Sequence, residues 1–221
     1  FFSEELNRIT QQRLDIELAL RRAIAENQFY LVYQPQLNLQ TGAIEGFEAL
    51  IRWRHPVRGE LSPLEFIPIA EESGQIAALG EWVLRKVLSD MPQFDAAGHD
   101  QLRIAVNVSA LELRQTNFAD RVLKLLEEFH VLPMRLELEV TESMLMEDTQ
   151  LAAQSIQRLS SEGIKFAIDD FGTGYSSLSY LRTLRIHHLK IDRSFISDLA
   201  HDADDAAIVR TIIALAQNLR L

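Results

Sequence analysis

The sequence predicts an α/β fold in which parallel strands close into a TIM-like (β/α)8 barrel behind a leading N-terminal helix. Strand-like and helix-like stretches alternate along the chain, which is typical of a mostly parallel sheet. Residues at alternate positions of a strand share a parity and point to the same face. Within most strands the residues of one parity are large and apolar, and those of the other parity are polar toward the C-terminal end. Only a closed parallel barrel turns one parity of every strand toward a common axis.

The composition is that of one large globular domain, with 47% hydrophobic and 24% charged residues in 221. The net charge of −10 disfavours a nucleic acid polymer as partner. Cysteine is absent, which excludes disulfides and thiolate metal sites. No apolar run reaches the length of a membrane span. The absence of cysteine does not fix the compartment.

The first predicted element is a helix that begins after a Ser3 cap and runs to about Glu26. Its apolar residues follow 3,4 spacing (Leu6, Ile9, Ile16, Leu20, Ala23), and Arg13 interrupts them. The helix can pack on its own domain, or it can connect to an upstream domain with coiled-coil pairing. Both interpretations can hold at different ends. We therefore divide the chain into a connector, 1–27, and a main domain, 28–221.

The later elements follow from turn and capping signals. "NLQTG" joins the first two strands into a hairpin, and "SPLE" (62–65) and "SALE" (109–112) are capping boxes. The predicted strands are 28–33, 43–53, 102–108, 135–140, 164–168 and 187–192. The predicted helices are 62–74, 75–97, 117–130, 149–162, 175–182 and 203–219.

Polar residues of one parity lie near the C-terminal ends of these strands: Glu48, Asn107, Glu139, Asp169, Lys190 and Asp192. Carboxylate and amide oxygens suit hard divalent cations such as Mg²⁺ or Mn²⁺. The adjacent Asp169 and Asp170 indicate two bridged ions, the usual arrangement for cleaving phosphodiesters. Lys190 can then orient the attacking water, and Arg52 can clamp a phosphate oxygen.

Each of these residues also has an ordinary structural explanation. Glu48 can be a half-exposed strand residue, Asp169 and Asp170 can begin a loop, and Lys190 with Asp192 can be a solvated pair. Their shared parity at five strand ends favours a site over these separate explanations. His187 and His188 have no partner at metal-ligand spacing and are interpreted as structural or surface residues.

Several motifs resemble the EAL domain family of bacterial cyclic di-GMP phosphodiesterases, with similarity from about Gln28 to the end. They are "EALIRW" (48–53), "NVS" (107–109), "ELEVTES" (137–143), "DDFGTGYSSLSYL" (169–181) and "LKIDRSFI" (189–196). The resemblance implies a domain that hydrolyses cyclic di-GMP to linear pGpG with two Mg²⁺ or Mn²⁺ ions. A cyclic di-GMP sensor without catalysis and a protein-interaction scaffold are the alternatives.

The resemblance also implies roles by position. The implied metal ligands are Glu48, Asn107, Glu139, Asp169 and Asp170. Lys190 acts with Asp169 and Asp170 in catalysis, and Gln34, Arg52 and Asp192 contact the substrate. Glu142 anchors the loop that follows Asp170. The implied partners are a second copy of the chain, through helices near 175–182 and 203–219, and upstream GGDEF and sensory domains.

One feature of the family pattern does not occur in these 221 residues. The family continues into a strand carrying "AEGVE", whose first Glu is a ligand, and then into further elements. We therefore expect a C-terminally incomplete domain with about six of eight strands, and we expect residues 1–221 alone to be inactive.

Overall fold

The computed structural model describes residues 2–146, 150–173, 181, 184–197, 199 and 201–221. The chain divides into two compact units, Phe1–Asp100 and Gln101–Leu221.

The first unit combines helices with an antiparallel ladder, in which β1 pairs with β2 and β2 pairs with β3. Its elements are α1 (Phe2–Ala25), β1 (Phe29–Leu37), β2 (Ile44–His55), β3 (Gly59–Leu61), α2 (Pro63–Glu72) and α3 (Ile76–Ala96).

Two details of this unit differ from the sequence prediction. Ser3 does not cap α1, because the helix already includes Phe2. β3 was not predicted from the sequence. Its turn is built by His55, whose Nδ1 accepts hydrogen bonds from the backbone N–H groups of Val57 and Arg58, and by Gly59, whose φ is 73°.

The second half of α1 packs on the first unit. Ile16, Leu20 and Ala23 lie in a buried cluster that includes Trp53 and Phe66. Arg13, which interrupts the apolar spacing, forms an ion pair with Glu72 of α2. The side chains of Leu6 and Ile9 lie outside the part of the chain that the structure describes. The packing interpretation therefore holds for residues 13–23.

The predicted strand parity is observed in the first unit. Phe47 lies with its ring 4.9 Å from Phe94 of α3, and Tyr33 of β1 approaches the same ring at 4.9 Å. Ala49 is buried on the same face of β2. Since this face packs on α3, residues such as Glu48 and Arg52 belong to the opposite face of the ladder.

The second unit is built on a parallel ladder in the order β4-β5-β6-β7. Its helices and strands are β4 (Arg103–Asn107), α4 (Ala110–Leu113), α5 (Phe118–Glu128), β5 (Leu136–Thr141), α6 (Glu142–Met146), α7 (Gln150–Ser161), β6 (Lys165–Phe171), β7 (His188–Ile191), α8 (Ser194–Ser197) and α9 (Ala203–Leu219).

The sequence prediction for the second unit is accurate for most elements and wrong in a few. The predicted helix 203–219 has the bounds of α9, and both capping boxes are present. The short helices α4, α6 and α8 were not predicted. β6 extends to Phe171, so Asp169 and Asp170 lie inside a strand. The helix predicted at 175–182 lies outside the described residues except for Leu181.

The apolar parity of the second unit is buried as predicted, including Ile104, Val106, Leu136, Leu138, Val140, Phe166 and Ile168. The opposite parity also contains two buried small residues, Ala105 and Ala167. Small side chains at these positions leave room on this face for the long polar side chains of neighbouring strands.

The packing of α1 gives a matched test. Leu20 is 1% exposed in the first unit, whereas Leu18, two residues earlier, is 57% exposed. We expect Leu20→Ala to lower the free energy of unfolding by about 2–5 kcal/mol through a cavity. Leu18→Ala should change it by less than about 0.5 kcal/mol. Urea denaturation measures both, and equal effects would contradict the packing of α1.

Candidate active site

The candidate site of the second unit forms where the parallel strands end. Asn107 is the last residue of β4, and its register partner on β5 is Glu139. Asp169 of β6 pairs in register with Thr141, two residues after Glu139. These three residues share a face, because register partners and residues two apart in a strand lie on the same side of a sheet.

A β-bulge explains how the adjacent Asp169 and Asp170 serve one site. The register of β6 and β7 passes from Ile168↔Leu189 to Phe171↔Ile191, so β6 has one extra residue. Asp170 has a left-handed φ of 54°, and its N–H donates to Oδ1 of Asp169 at 3.0 Å. In a regular strand consecutive side chains point to opposite faces. The bulge instead brings the Asp170 carboxyl within interaction range of Asp169.

Lys190 joins the acids of β5 and β6. Its ammonium group forms an ion pair with Oε2 of Glu139 and lies 3.2 Å from Oδ2 of Asp169. The Glu139 side chain is fully buried. A buried carboxylate next to a second one is costly without a cation. Lys190 therefore compensates part of the negative charge at this rim.

Asp170 and Asp192 interact, and their pKa values are shifted in opposite directions. Burial raises the pKa of Asp170, and the negative charges of Asp169 and Asp192 raise it further. The hydroxyl and backbone N–H of Ser194 donate to Asp192 and lower its pKa. As the pH falls, Asp170 is therefore protonated before Asp192.

Glu142 contacts the chain just after this acidic pair. It begins α6, its side chain is buried, and its Oε2 accepts a hydrogen bond of 2.9 Å from the N–H of Gly172. Gly172 lies two residues after Asp170. This contact ties the end of β5 to the start of the "GTGYSS" segment, of which residues 174–177 lie outside the described part of the chain.

Three predicted site residues belong to the first unit. Glu48 of β2 is the register partner of Gln34 of β1, so the two lie side by side. Arg52 lies four residues later on the same face, opposite Tyr30, and its Nη1 donates to the carbonyl of Ile51 at 2.8 Å.

The donor set at the strand ends of the second unit fits a hard divalent cation. Asn107 offers an amide oxygen, and Glu139, Asp169 and Asp170 offer carboxylate oxygens. These are the ligands that Mg²⁺ and Mn²⁺ prefer. The compensation by Lys190 supports the same conclusion, since the acids need positive charge at this place.

The family model of the EAL domain matches residues 17–221. The chain belongs to the EAL domain family. It is 44% identical over its whole length to the bifunctional diguanylate cyclase/cyclic di-GMP phosphodiesterase MucR of Pseudomonas aeruginosa, of which it covers 32%. It is 45% identical over its whole length to the cyclic di-GMP phosphodiesterase NbdA of the same organism and covers 28% of it. The chain thus spans about a third of the length of the curated relatives it matches.

Solved structures of EAL domains have the same fold. A structure of the PaMucR phosphodiesterase in complex with c-di-GMP superposes with a TM-score of 0.89 at 44% identity, covering 94% of this chain and 84% of the other. These neighbours are TIM-like barrels, and the predicted α/β fold class with its leading helix is confirmed. Among the residues that the structure describes, the helices are too short or too polar to cross a membrane.

This EAL domain contains a charged cluster that was not predicted from the sequence. The buried carboxylate of Glu137 lies 3.2 Å from Nε of Arg103 and 2.9 Å from Nδ1 of His188. Burial acts to raise the pKa of Glu137, but His188, Arg103 and Lys190 outweigh it, so the pKa is lowered. The sequence offers one signal for this cluster: Glu137 lies two residues before Glu139 and therefore on the same face of β5. His188, interpreted from the sequence as a structural or surface residue, thus has a partner in Glu137, and the ring of His187 accepts a hydrogen bond from the N–H of Phe166.

Gly172 gives a test of how tightly the segment after Asp170 is held. Its φ is 102°, and an added Cβ would lie 3.0 Å from Phe195 and 3.1 Å from Ile212. Gly163 has the same φ, but its added Cβ would meet only Pro133 at 3.8 Å. We expect Gly163→Ala to cost about 1–2 kcal/mol of stability through backbone strain. Gly172→Ala should cost about 1–3 kcal/mol more, because the site is already filled.

Urea denaturation of the two glycine variants measures this difference. Equal losses of stability would show that Phe195 and Ile212 yield to the extra methyl group and that the segment is loosely packed.

Proposed function

We propose that this domain hydrolyses cyclic di-GMP to linear pGpG in a reaction that depends on divalent metal ions. One observation carries the proposal: in a member of the EAL family, Glu139, Asp169 and Asp170 converge at the strand ends around the ammonium group of Lys190. The names of MucR and NbdA support the substrate, since both are called cyclic di-GMP phosphodiesterases.

We assign two ions, Mg²⁺ or Mn²⁺, to this site. Asn107, Glu139, Asp169 and Asp170 would hold them together with Glu48 of the first unit, which is included on the family resemblance. When bound, such ions lower the pKa of a water molecule and stabilise negative charge on phosphate oxygens. The bulge at Asp170 supports the assignment, because it directs two consecutive carboxylates toward one place.

Lys190 has the role of a positioned cation near the attacking water. Its ammonium group is held by Glu139 and Asp169, which fixes its place without a large loss of side-chain freedom during the reaction. An N–H donor in that place can orient a water molecule or stabilise charge that develops on the phosphate.

Substrate binding falls to three residues. The guanidinium group of Arg52 can clamp a phosphate oxygen with two N–H donors. Gln34 lies next to Glu48 in the β1–β2 ladder, so it belongs to the same face. Asp192, whose lowered pKa keeps it ionised, can accept hydrogen bonds from the nucleotide.

The remaining assignments concern the protein around the site. We propose that residues 1–27 form a connector and 28–221 the phosphodiesterase domain, with GGDEF and sensory domains upstream in a cytoplasmic parent protein.

We also propose a homodimer that uses α9. Ile208 and Ile213 of this helix are partly exposed, whereas Val209 and Ile212 are buried.

The function is tested by incubating the full-length protein with cyclic di-GMP and Mg²⁺ or Mn²⁺ and separating the products by chromatography. We expect linear pGpG, and we expect a chelator to abolish it. Glu81→Gln on α3, which removes only the ion pair with Arg85, serves as a control and should be fully active. Binding of cyclic di-GMP without turnover would support the non-catalytic sensor instead.

The metal ligands give a second prediction. Glu48→Gln, Asn107→Ala, Glu139→Gln, Asp169→Asn and Asp170→Asn should each lower kcat by at least about 100-fold. Removing a group that only hydrogen-bonds to a metal ligand lowers metal affinity or activity by about 10–100-fold. Removing a ligand itself should therefore cost more. Manganese titration of each variant should show weakened binding. Near-wild-type turnover in any two of the five would mean that the ligand set is wrong.

Arg52→Ala should behave differently from the ligand variants. We expect KM to rise by at least about tenfold, since a charge-assisted hydrogen bond to phosphate contributes about 1.5–3 kcal/mol. Manganese affinity should stay within about twofold of the wild type. An unchanged KM would remove Arg52 from the site.

A further inference from the structure

A second set of charged contacts crosses the parallel ladder next to Lys190. Glu137 of β5 contacts Arg103 of β4 at 3.2 Å and His188 of β7 at 2.9 Å. The Glu137 side chain is 4% exposed, whereas Arg103 and His188 are partly exposed. A buried carboxylate needs such partners, because an uncompensated charge in this position is strongly unfavourable.

The contact between Glu137 and His188 spans a whole strand. β6 lies between β5 and β7, and its residue Ala167 is the register partner of both Glu139 and His188. Lys190 reaches Glu139 across the same strand. Two side-chain pairs, 137 with 188 and 139 with 190, therefore join β5 to β7 past a small alanine.

The backbone ladder between β6 and β7 is irregular at the position of Lys190. The ladder between β6 and β7 is regular at Leu189 and then shifts by one residue before Ile191, because of the bulge that contains Asp169 and Asp170. β7 itself has only four residues. At the bulge the usual hydrogen-bond ladder is interrupted. The side-chain pair just before the bulge is thus well placed to set the position of β7.

We propose that Arg103, Glu137 and His188 form a positioning network that holds the Lys190 ammonium against Glu139 and Asp169. Its catalytic consequence rests on the proposed function. His188 is the member that matters most for Lys190, because both lie on β7 with one residue between them and on the same face.

The charges explain why the network has three members. The charge of Lys190 also acts on Glu137. With His188 in place, the Glu137 carboxylate is contacted from β7 by the imidazole and from β4 by the guanidinium. Without His188, Glu137 competes with Glu139 and Asp169 for the Lys190 ammonium. The loss of His188 should therefore displace the lysine toward Glu137.

Activity of the full-length protein provides the first test. We expect His188→Ala to lower kcat by about tenfold, because a displacement of about 1 Å can cost up to 100-fold in rate. KM and manganese affinity should stay within about twofold. His188→Gln, whose amide can donate to Glu137, should recover much of kcat. Glu137→Gln in the His188→Ala background should also recover part of it, because the competing charge is gone.

His187→Ala is the matched control, since it removes the neighbouring imidazole and its bond to the N–H of Phe166. It should leave kcat within about twofold. An active, folded His188→Ala protein with unchanged kcat would overturn the proposal. So would failure of both His188→Gln and the double variant to recover activity.

Crystal structures separate this proposal from the proposed function. In the wild type and in His187→Ala, Nζ of Lys190 should lie near the observed 3.2 Å from Oδ2 of Asp169. In His188→Ala the distance should exceed about 4 Å, the limit of an ion pair. If the wild type makes no pGpG, the proposed function fails, and these distances still decide the positioning role. An unmoved Lys190 in His188→Ala would overturn it.

Discussion

The arrangement of the second unit depends on one electrostatic constraint, the ion pair of Lys190 with two carboxylates of different strands. Glu139 is buried and Asp169 lies beside it, so their negative charges repel each other. A single ammonium group between them offsets this cost. The same excess of negative charge that requires Lys190 also makes the strand ends suitable for divalent cations.

The backbone satisfies this constraint with two local devices. The bulge in β6 turns a pair of adjacent aspartates toward one face, which regular alternation forbids. The small side chain of Ala167 on β6 leaves space between the side chains of β5 and β7. Lys190 therefore reaches Glu139, and His188 reaches Glu137. Parallel strands bring these devices together because their carboxyl ends lie at one edge. The arrangement of the site residues in this EAL domain therefore depends directly on the backbone geometry of the sheet.

The sequence was sufficient for most of the strands and for the helix caps at Ser62 and Ser109, but not for β3 or for a cap at Ser3. Parity alone placed Ile104, Leu138 and Phe166 in the core and Glu139 on the opposite face. It could not reveal the bulge, because Asp170 adopts a left-handed backbone only in the context of its neighbours. The pairing of Glu137 could not be predicted from the sequence either. Its partners Arg103 and His188 are 34 and 51 positions away, on strands whose place in the sheet is known only from the fold.

The most direct test of this account is a comparison of Lys190→Met with the wild-type full-length protein. Calorimetric titration with Mn²⁺ would be combined with an assay of pGpG formation. We predict that the variant binds Mn²⁺ as tightly as the wild type or more tightly, because a competing cation has gone. Its turnover should fall by at least about 100-fold, the size of effect typical of a positioned proton-transfer or orienting group. Loss of Mn²⁺ binding in the variant, or turnover within tenfold of the wild type, would contradict the account.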